Sequence, residues 1–428
     1  MPTRRFSRSS VSQSSAEAAA SGPLPPDVPA VPVPTLIATL ERDLAARAAA
    51  GLARSRRSVA SAQGARVVVG GREVVAFASN DYLGLANHSA VAAAARDAVG
   101  HWGVGAGASH LICGHASAHD ALETEIAAFV RPGEIVRALT FSSGYLANLA
   151  ILTALAGRGD AIFADRLNHA CLNDGALLSR ARFVRYAHGD VAALRSRLAG
   201  TPAARRLIAT DAVFSMDGDI APLPELLALA DEFDAWLVVD DAHGFGVLGE
   251  GRGTLAHFGL RSERIVAMGT LGKAAGVAGA FVVAHPAVID TLAQTARSYL
   301  YTTAAPPLLA EATRAALALI RDDDARRTHL ARLIAHWRKR AAALPWRLGD
   351  SSTPIQPIFV GDNAAASALA EALWQRGFWV PAIRPPTVPV GTARLRVSLS
   401  AAHTTADVDA LVDALADLAS SGVGDPRA

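Results

Sequence analysis

The chain has 428 residues, 51% of them apolar and 19% charged, with 41 basic against 39 acidic side chains and a formal net charge of +2. That length and apolar content suffice for one large or several ordinary domains, and the near-balance of charge leaves no surplus to drive binding to nucleic acid. Two cysteines, Cys113 and Cys171, are too few for a disulfide scaffold or a multi-cysteine metal site, and they fit a reducing, cytoplasmic setting.

Residues 1–33 are rich in Ser, Ala and Pro, with Arg4, Arg5 and Arg8 near the start. The prolines between Pro23 and Pro34 forbid a sustained helix, so this stretch reads as a disordered extension rather than a transit peptide. No apolar run follows the arginines, which argues against a secretory signal. Residues 34–85 form an N-terminal segment. It holds a helical pattern from Thr35 to about Ala53, a basic stretch Arg54 to Arg57, and a β-hairpin signal from Val67 to Val75 around Gly70-Gly71.

From Ser117 the pattern alternates. Helix 117–131 leads to strand 135–141, helix 145–156, strand 160–164, helix 168–179 and strand 182–187. Helix 190–199 precedes strand 206–212, helix 222–233 and strand 235–240, and further strands fall near 264–269 and 278–284. Such alternation predicts βαβ units in a mostly parallel, doubly wound α/β sheet covered on both faces, within a large domain over 86–318. Three helical stretches running to about Ala343, strands 355–359 and 393–398 and a helix over 405–419 suggest a smaller α+β domain over 319–420, with a tail at 421–428. The uncharged run Ala138 to Gly157 is long enough to span a bilayer. Ser142, Ser143, Gly144, Tyr145 and Asn148 break it into strand, turn and helix, so no membrane span is expected.

Open α/β sheets bind ligands beyond the carboxyl ends of their strands. The apolar strand Ala235 to Val239 ends in Asp240-Asp241-Ala242-His243. A carboxylate at the tip of a buried strand is costly unless it meets donors or a cation. It either caps a turn or holds a ligand cation such as a protonated pyridine nitrogen. Gly244 to Gly249 matches G-x-G-x-x-G, yet no long helix opens there and no ribose-binding acid follows, which argues against a nicotinamide site.

The chain has only two lysines, Lys273 and Lys339. Lys339 sits among Arg338 and Arg340 on a basic helical face, the pattern of a solvated surface. Lys273 follows the strand Ile265 to Met268 in a loop of small residues. Ala274 and Ala267 replace the residues that a phosphate-binding P-loop needs there. A lysine desolvated in such a place has a lowered pKa, which suits Schiff-base chemistry. Ser142-Ser143-Gly144-Tyr145 opens a helix after a strand, where free N–H groups and the helix dipole make an anion cradle. Lysine, strand-end acid and anion turn together point to pyridoxal 5′-phosphate. His169 begins a helix from which its ring can stack on that cofactor, and Ser215 and His243 follow strands on the same predicted edge. Cys113 and Cys171 read as small buried residues.

Four motifs, Ser79-Asn80-Asp81-Tyr82-Leu83-Gly84-Leu85, Ser215-Met216-Asp217-Gly218, Asp240-Asp241-Ala242-His243-Gly244 and Thr270-Leu271-Gly272-Lys273, resemble the α-oxoamine synthases over about Thr35 to Leu418. The resemblance implies a PLP fold-type I homodimer with active sites at the subunit interface, and an acyltransferase that joins an amino acid to an acyl thioester. The stretch Ala382 to Pro389 and Gly107-Ala108-Ser109-His110 resemble the branch that uses L-alanine and a pimeloyl thioester, on CoA or a carrier protein, in biotin biosynthesis. Sister branches use glycine with acetyl-CoA or succinyl-CoA, or serine with a long-chain acyl-CoA. A scaffold that has lost turnover is the alternative from another class.

By position, the resemblance makes Lys273 the Schiff-base lysine and Asp240 the partner of the pyridinium, with His169 stacked on the ring. Ser215 and His243 would lie near the phenolic oxygen, and Gly144, Tyr145 and Thr270 would serve the phosphate. Arg384 would hold the amino-acid carboxylate, Arg54 and Thr387 would contact substrate, and Asn80 would shape the pocket. Two departures stand out. Ala275 occupies a position where relatives often carry Phe, which would loosen local packing. The basic segment aligns with slack, leaving Arg54, Arg56 and Arg57 open for one role.

Overall fold

The computed structural model describes residues 35–424, so the expected disordered extension over 1–33 and the end of the tail lie outside the described residues. The chain separates at Ala53/Arg54 into two units. The first holds α1 (Thr35–Ala49), which sets Leu36, Leu40 and Leu44 on one face at a spacing of four.

The second unit opens on a hairpin, β1 (Arg66–Val69) and β2 (Arg72–Ala76). It turns at Gly70 and Gly71, whose φ values of +58° and +78° suit the left-handed pair that a tight hairpin needs. Next comes α2 (Ser89–Trp102), to which the sequence pattern assigns no element. Its run of alanines offers little contrast between faces, and His88 caps it by accepting the Ala90 N–H at 3.3 Å.

The alternating region follows as α3 (Ser117–Val130), β3 (Arg137–Phe141), α4 (Gly144–Leu155), β4 (Ala161–Asp165), α5 (Ala170–Ser179), β5 (Arg182–Tyr186) and α6 (Val191–Gly200). It continues through β6 (Arg206–Asp211), α7 (Leu223–Glu232), β7 (Ala235–Asp240), α8 (Thr254–His257), β8 (Ile265–Thr270), β9 (Ala280–Ala284) and α9 (Pro286–Thr295). The sheet runs β3-β9-β8-β7-β6-β4-β5, and only β9 runs against its neighbours. Alternate strand residues enter opposite cores. Ile162, Leu207 and Val238 pack with α4, α5 and α9, while Phe163, Ile208 and Leu237 pack with α6 and α7. That two-sided burial explains why these strands read as continuous apolar runs.

The remainder is α10 (Arg297–Leu300), α11 (Pro307–Asp322), α12 (Asp324–Ala341), β10 (Arg347–Leu348), β11 (Ile355–Gly361), α13 (Asn363–Gln375), β12 (Phe378–Trp379), β13 (Ala382–Ile383), β14 (Ala393–Ser398) and α14 (Thr405–Ser420). Four helices stand where three were expected before Ala343, the extra one being the single turn α10. A second sheet runs β10-β11-β14-β13, all antiparallel. β12 instead joins β2 in parallel, tying the hairpin to the C-terminal region. One apolar cluster includes Leu122 and Phe281 from the first region and Trp337, Ile358, Leu395 and Leu411 from the last.

Register places the site. Asp211 pairs with Asp240, and Asp240 with Met268, so the tips of β6, β7 and β8 share one edge. The loop after β8 is pressed against the Ser79–Leu85 segment at Gly276, where φ is +69° and an added Cβ would lie 2.3 Å from the Ala86 nitrogen. Ala274 and Ala275 beside it are buried in the main core. Gly276→Ala is therefore expected to lower the unfolding free energy by about 2–4 kcal/mol in urea denaturation. Gly70→Ala, at an open hairpin position with nothing within 4 Å, is expected to cost about 1 kcal/mol.

Candidate active site

A cavity of ≈190 Å³ opens at that edge, and eight of the residues singled out from sequence line it: Gly144, Tyr145, His169, Ser215, Asp240, His243, Thr270 and Lys273. Cys171, Asp211, Ala242 and Met268 complete the wall. Lys273 is carried by a turn that closes through Gly276 N–H to Lys273 O at 2.8 Å and Leu271 N–H to Gly279 O at 2.9 Å.

The Lys273 amine lies 2.9 Å from His243 Nε2. Desolvation pushes its pKa below the usual ammonium range, against the opposing pull of Asp240 and Asp211. His243 is buried, and its pKa falls well below that of an ordinary imidazole, first through burial and then through the positive charges of Lys273 and Arg396. It is therefore a neutral ring. Its Nδ1 is 2.6 Å from the Tyr82 hydroxyl, which itself donates to Asn80 Oδ1 at 3.2 Å. That chain leaves Nδ1–H to donate to Tyr82 and Nε2 to accept from Lys273. Arg396 ties the assembly to the second sheet, donating to Asn80 Oδ1 at 3.1 Å and to the Ser215 carbonyl at 2.6 Å.

Asp240, 6% exposed, receives Asn148 Nδ2–H at 2.7 Å on one oxygen and the Ala242 N–H at 3.0 Å on the other. Its neighbour Asp211 is pushed well above the usual carboxylate range by burial and by the Asp240 charge. Asp211 accepts the His169 N–H at 3.1 Å and thereby fixes the residue that caps α5. Partial desolvation also holds the His169 ring below its ordinary pKa. Its Nδ1 lies 2.8 Å from Cys171 Sγ, and burial pushes that thiol up to about 12, so the S–H donates to the ring. The expectation of two small buried cysteines holds only in part. Cys171 is buried and lines the cavity, whereas Cys113 is exposed, because the turn His110–Gly114 turns it outward from the cluster that buries His110.

Gly144 and Tyr145 are the first residues of α4, where backbone N–H groups have no intrahelical acceptor. Ser143 caps the helix through Leu146 N–H at 3.3 Å, and Thr270 Oγ1 donates to Gly279 O at 3.1 Å. Outside the cavity wall, Arg54 donates to Thr387 Oγ1 at 2.9 Å, and the Thr387 N–H donates to the Arg384 carbonyl at 3.1 Å. Arg57 is held elsewhere, by Glu371 at 3.1 Å and over the Trp374 ring at 3.8 Å. Asn80 reaches the site through Tyr82 and Arg396 rather than by lining it. An amine, a buried carboxylate, a neutral imidazole and a helix N-terminus converging on one cavity fit pyridoxal phosphate.

Residues 72–415 match the family described as aminotransferase class I and II. The 8-amino-7-oxononanoate synthase of Aromatoleum aromaticum is 58% identical over 381 residues, covering 89% of this chain and 98% of its own. That of Nitrosomonas europaea is 58% identical over 389 residues, covering 90% and 100%. The chain belongs to the 8-amino-7-oxononanoate synthase family. A Francisella tularensis 8-amino-7-oxononanoate synthase superposes with a TM-score of 0.71 at 30% identity, covering 82% of this chain and 98% of its own. The serine palmitoyltransferase of Sphingomonas wittichii superposes with 0.83 at 30% identity, covering 91% and 98%. The large sheet and its edge cavity are thus the PLP fold-type I architecture.

Four residues of the site receive no role from the sequence: Tyr82, Asn148, Asp211 and Arg396. Tyr82 and Asp211 carry local signals, one inside the Ser79–Leu85 motif and one at a strand tip. Tyr82→Phe removes the acceptor for His243 Nδ1–H, and it is expected to lower turnover about tenfold with cofactor still bound. Steady-state rates alongside the cofactor absorbance check this.

Proposed function

We propose that the chain condenses L-alanine with a pimeloyl thioester, releasing CO2 and free thiol and forming 8-amino-7-oxononanoate for biotin biosynthesis, with pyridoxal 5′-phosphate held in the Lys273 cavity. The observation that carries this reading is the convergence of Lys273, Asp240, His243 and His169 on one cavity in a chain 58% identical to synthases of that name. Structural neighbours that are serine palmitoyltransferases cover more of the chain but share only 28–30% of its residues, so the oxononanoate branch is favoured over its sisters.

Bound there, the cofactor supplies an electron-withdrawing ring that stabilises negative charge at the amino-acid Cα. The Lys273 amine, with its lowered pKa, takes the Cα proton, and His243 Nε2 orients it. Asp240, steadied by Asn148, keeps the ring nitrogen protonated. His169 would lie against the ring face, Ser215 and His243 would lie near the phenolic oxygen, and Gly144, Tyr145 and Thr270 would receive the phosphate. Arg384 holds the alanine carboxylate, Arg54 and Thr387 contact the acyl substrate, and Asn80 fixes Tyr82.

The working form is proposed to be a homodimer, because Val104, Leu111, Ile112 and Tyr301 are exposed apolar side chains of a kind that a second copy covers. A cytoplasmic location accords with this chemistry. Among the described residues, no helix is long and apolar enough to cross a membrane.

Purified protein loaded with cofactor is expected to release thiol and CO2 from pimeloyl-CoA, or from the carrier-protein thioester, with alanine and not with glycine or serine. Release only with glycine and short acyl-CoAs would assign a sister activity instead. Lys273→Ala is expected to abolish turnover. Asp240→Asn is expected to retain cofactor and lose about 100-fold or more in rate, since a neutral ring nitrogen withdraws electrons poorly.

A further inference from the structure

We infer that His188 is a positioning residue: a doubly hydrogen-bonded imidazolium that staples together the two loops carrying His169 and Ser215 and so sets the width of the cofactor slot. The inference rests on the proposed placement of those two residues beside the cofactor.

His188 lies in the turn between β5 and α6, outside the cavity wall. Its Nδ1 is 3.1 Å from Asp165 Oδ1 and its Nε2 is 2.9 Å from Asp219 Oδ2. Carboxylates only accept, so both ring nitrogens donate, and a ring that donates from both carries a positive charge. The two carboxylates push the imidazole pKa up to about 10, Asp165 contributing most, against a smaller opposing effect of burial. The edge-on ring of Phe214 closes the third side, with centroids 4.3 Å apart.

Each carboxylate anchors one loop of the site. Asp165 ends β4, is 2% exposed, and starts the turn that delivers His169. Besides His188 it accepts the Leu167 N–H at 2.8 Å and the Gly189 N–H at 2.9 Å. Asp219 closes the loop after β6, its carbonyl accepting the Phe214 N–H at 3.0 Å, and Ser215 lies between those two residues. The staple thus joins β4 to the loop after β6 at positions four residues from His169 and four from Ser215. Asp165 also acts on the Tyr186 phenol and on Asp211, and its charge raises the pKa of both. Neither competes with His188 for the positive charge.

A histidine whose pKa is raised on folding contributes fully below its ordinary value near 6.5 and loses that contribution as pH rises through about 10. At neutral pH the staple is closed.

The test compares holoenzyme with His188→Ala and His188→Arg, using cofactor affinity, visible-region circular dichroism of the bound cofactor, and melting temperature against pH. His188→Ala is expected to weaken cofactor binding about tenfold, to change the dichroic band that reports ring orientation, and to lose part of the wild-type fall in melting temperature between pH 7 and pH 10. His188→Arg, which keeps a cation with several N–H donors, is expected to recover part of the affinity. A lower melting temperature with unchanged affinity and dichroism would make His188 a purely structural tie and overturn the inference. Should His188→Ala fail to fold, imidazole nitrogen-15 shifts of the wild-type chain decide the charge: a midpoint near 6.5 overturns the staple, and a doubly protonated ring at pH 8 supports it. If His169→Ala and Ser215→Ala leave the dichroic band untouched, the placement of those residues fails, independently of His188.

Discussion

The site depends on keeping one amine poorly solvated. Lys273 extends from a loop whose backbone presses on the segment after Leu85 at Gly276, and its nitrogen meets His243 Nε2 at 2.9 Å. An ammonium in that setting is disfavoured by desolvation, and the two acids nearby offset that only in part. The rest of the architecture serves the same placement. Three adjacent parallel strands run in register, so Asp211, Asp240 and Met268 share an edge, and the second sheet contributes Arg396 to hold the motif that carries Tyr82.

Around that amine most ionisable groups are kept neutral. His243 and His169 stay uncharged, the Asp211 carboxyl is pushed toward its neutral form, and the Cys171 thiol stays intact. Arg396 lies behind Tyr82. A pocket arranged this way does not dissipate its polarity among competing charges, and an added cofactor meets fixed dipoles rather than mobile ones. Farther out the logic reverses: His188 holds a positive charge because two carboxylates surround it.

Much of this was legible in the amino-acid order. The period change from strand to helix is strong wherever both faces of a strand are buried, so the β3–β9 region read correctly, and strand tips flagged Asp240 and Lys273 without any template. The Ala-rich α2 was invisible because alanine gives no contrast between faces. Asn148 was equally hidden, since a lone amide inside an apolar helix carries no sign that it supports a carboxylate 92 positions away. Arg396 sits in a strand of alternating arginine and aliphatic residues, where a solvated face is the simpler reading. The basic segment could not be resolved by spacing; contacts separate it, with Arg54 on Thr387 and Arg57 on Glu371 and Trp374.

Because the chain has only two lysines, its central claim admits a direct measurement. Holoprotein reduced with borohydride, digested and mapped by mass spectrometry should carry the phosphopyridoxyl mass at Lys273 and nowhere else. Label on the exposed Lys339, or equal label on both, would contradict the account, because it would mean that the desolvated amine in the cavity is not the group that holds the cofactor.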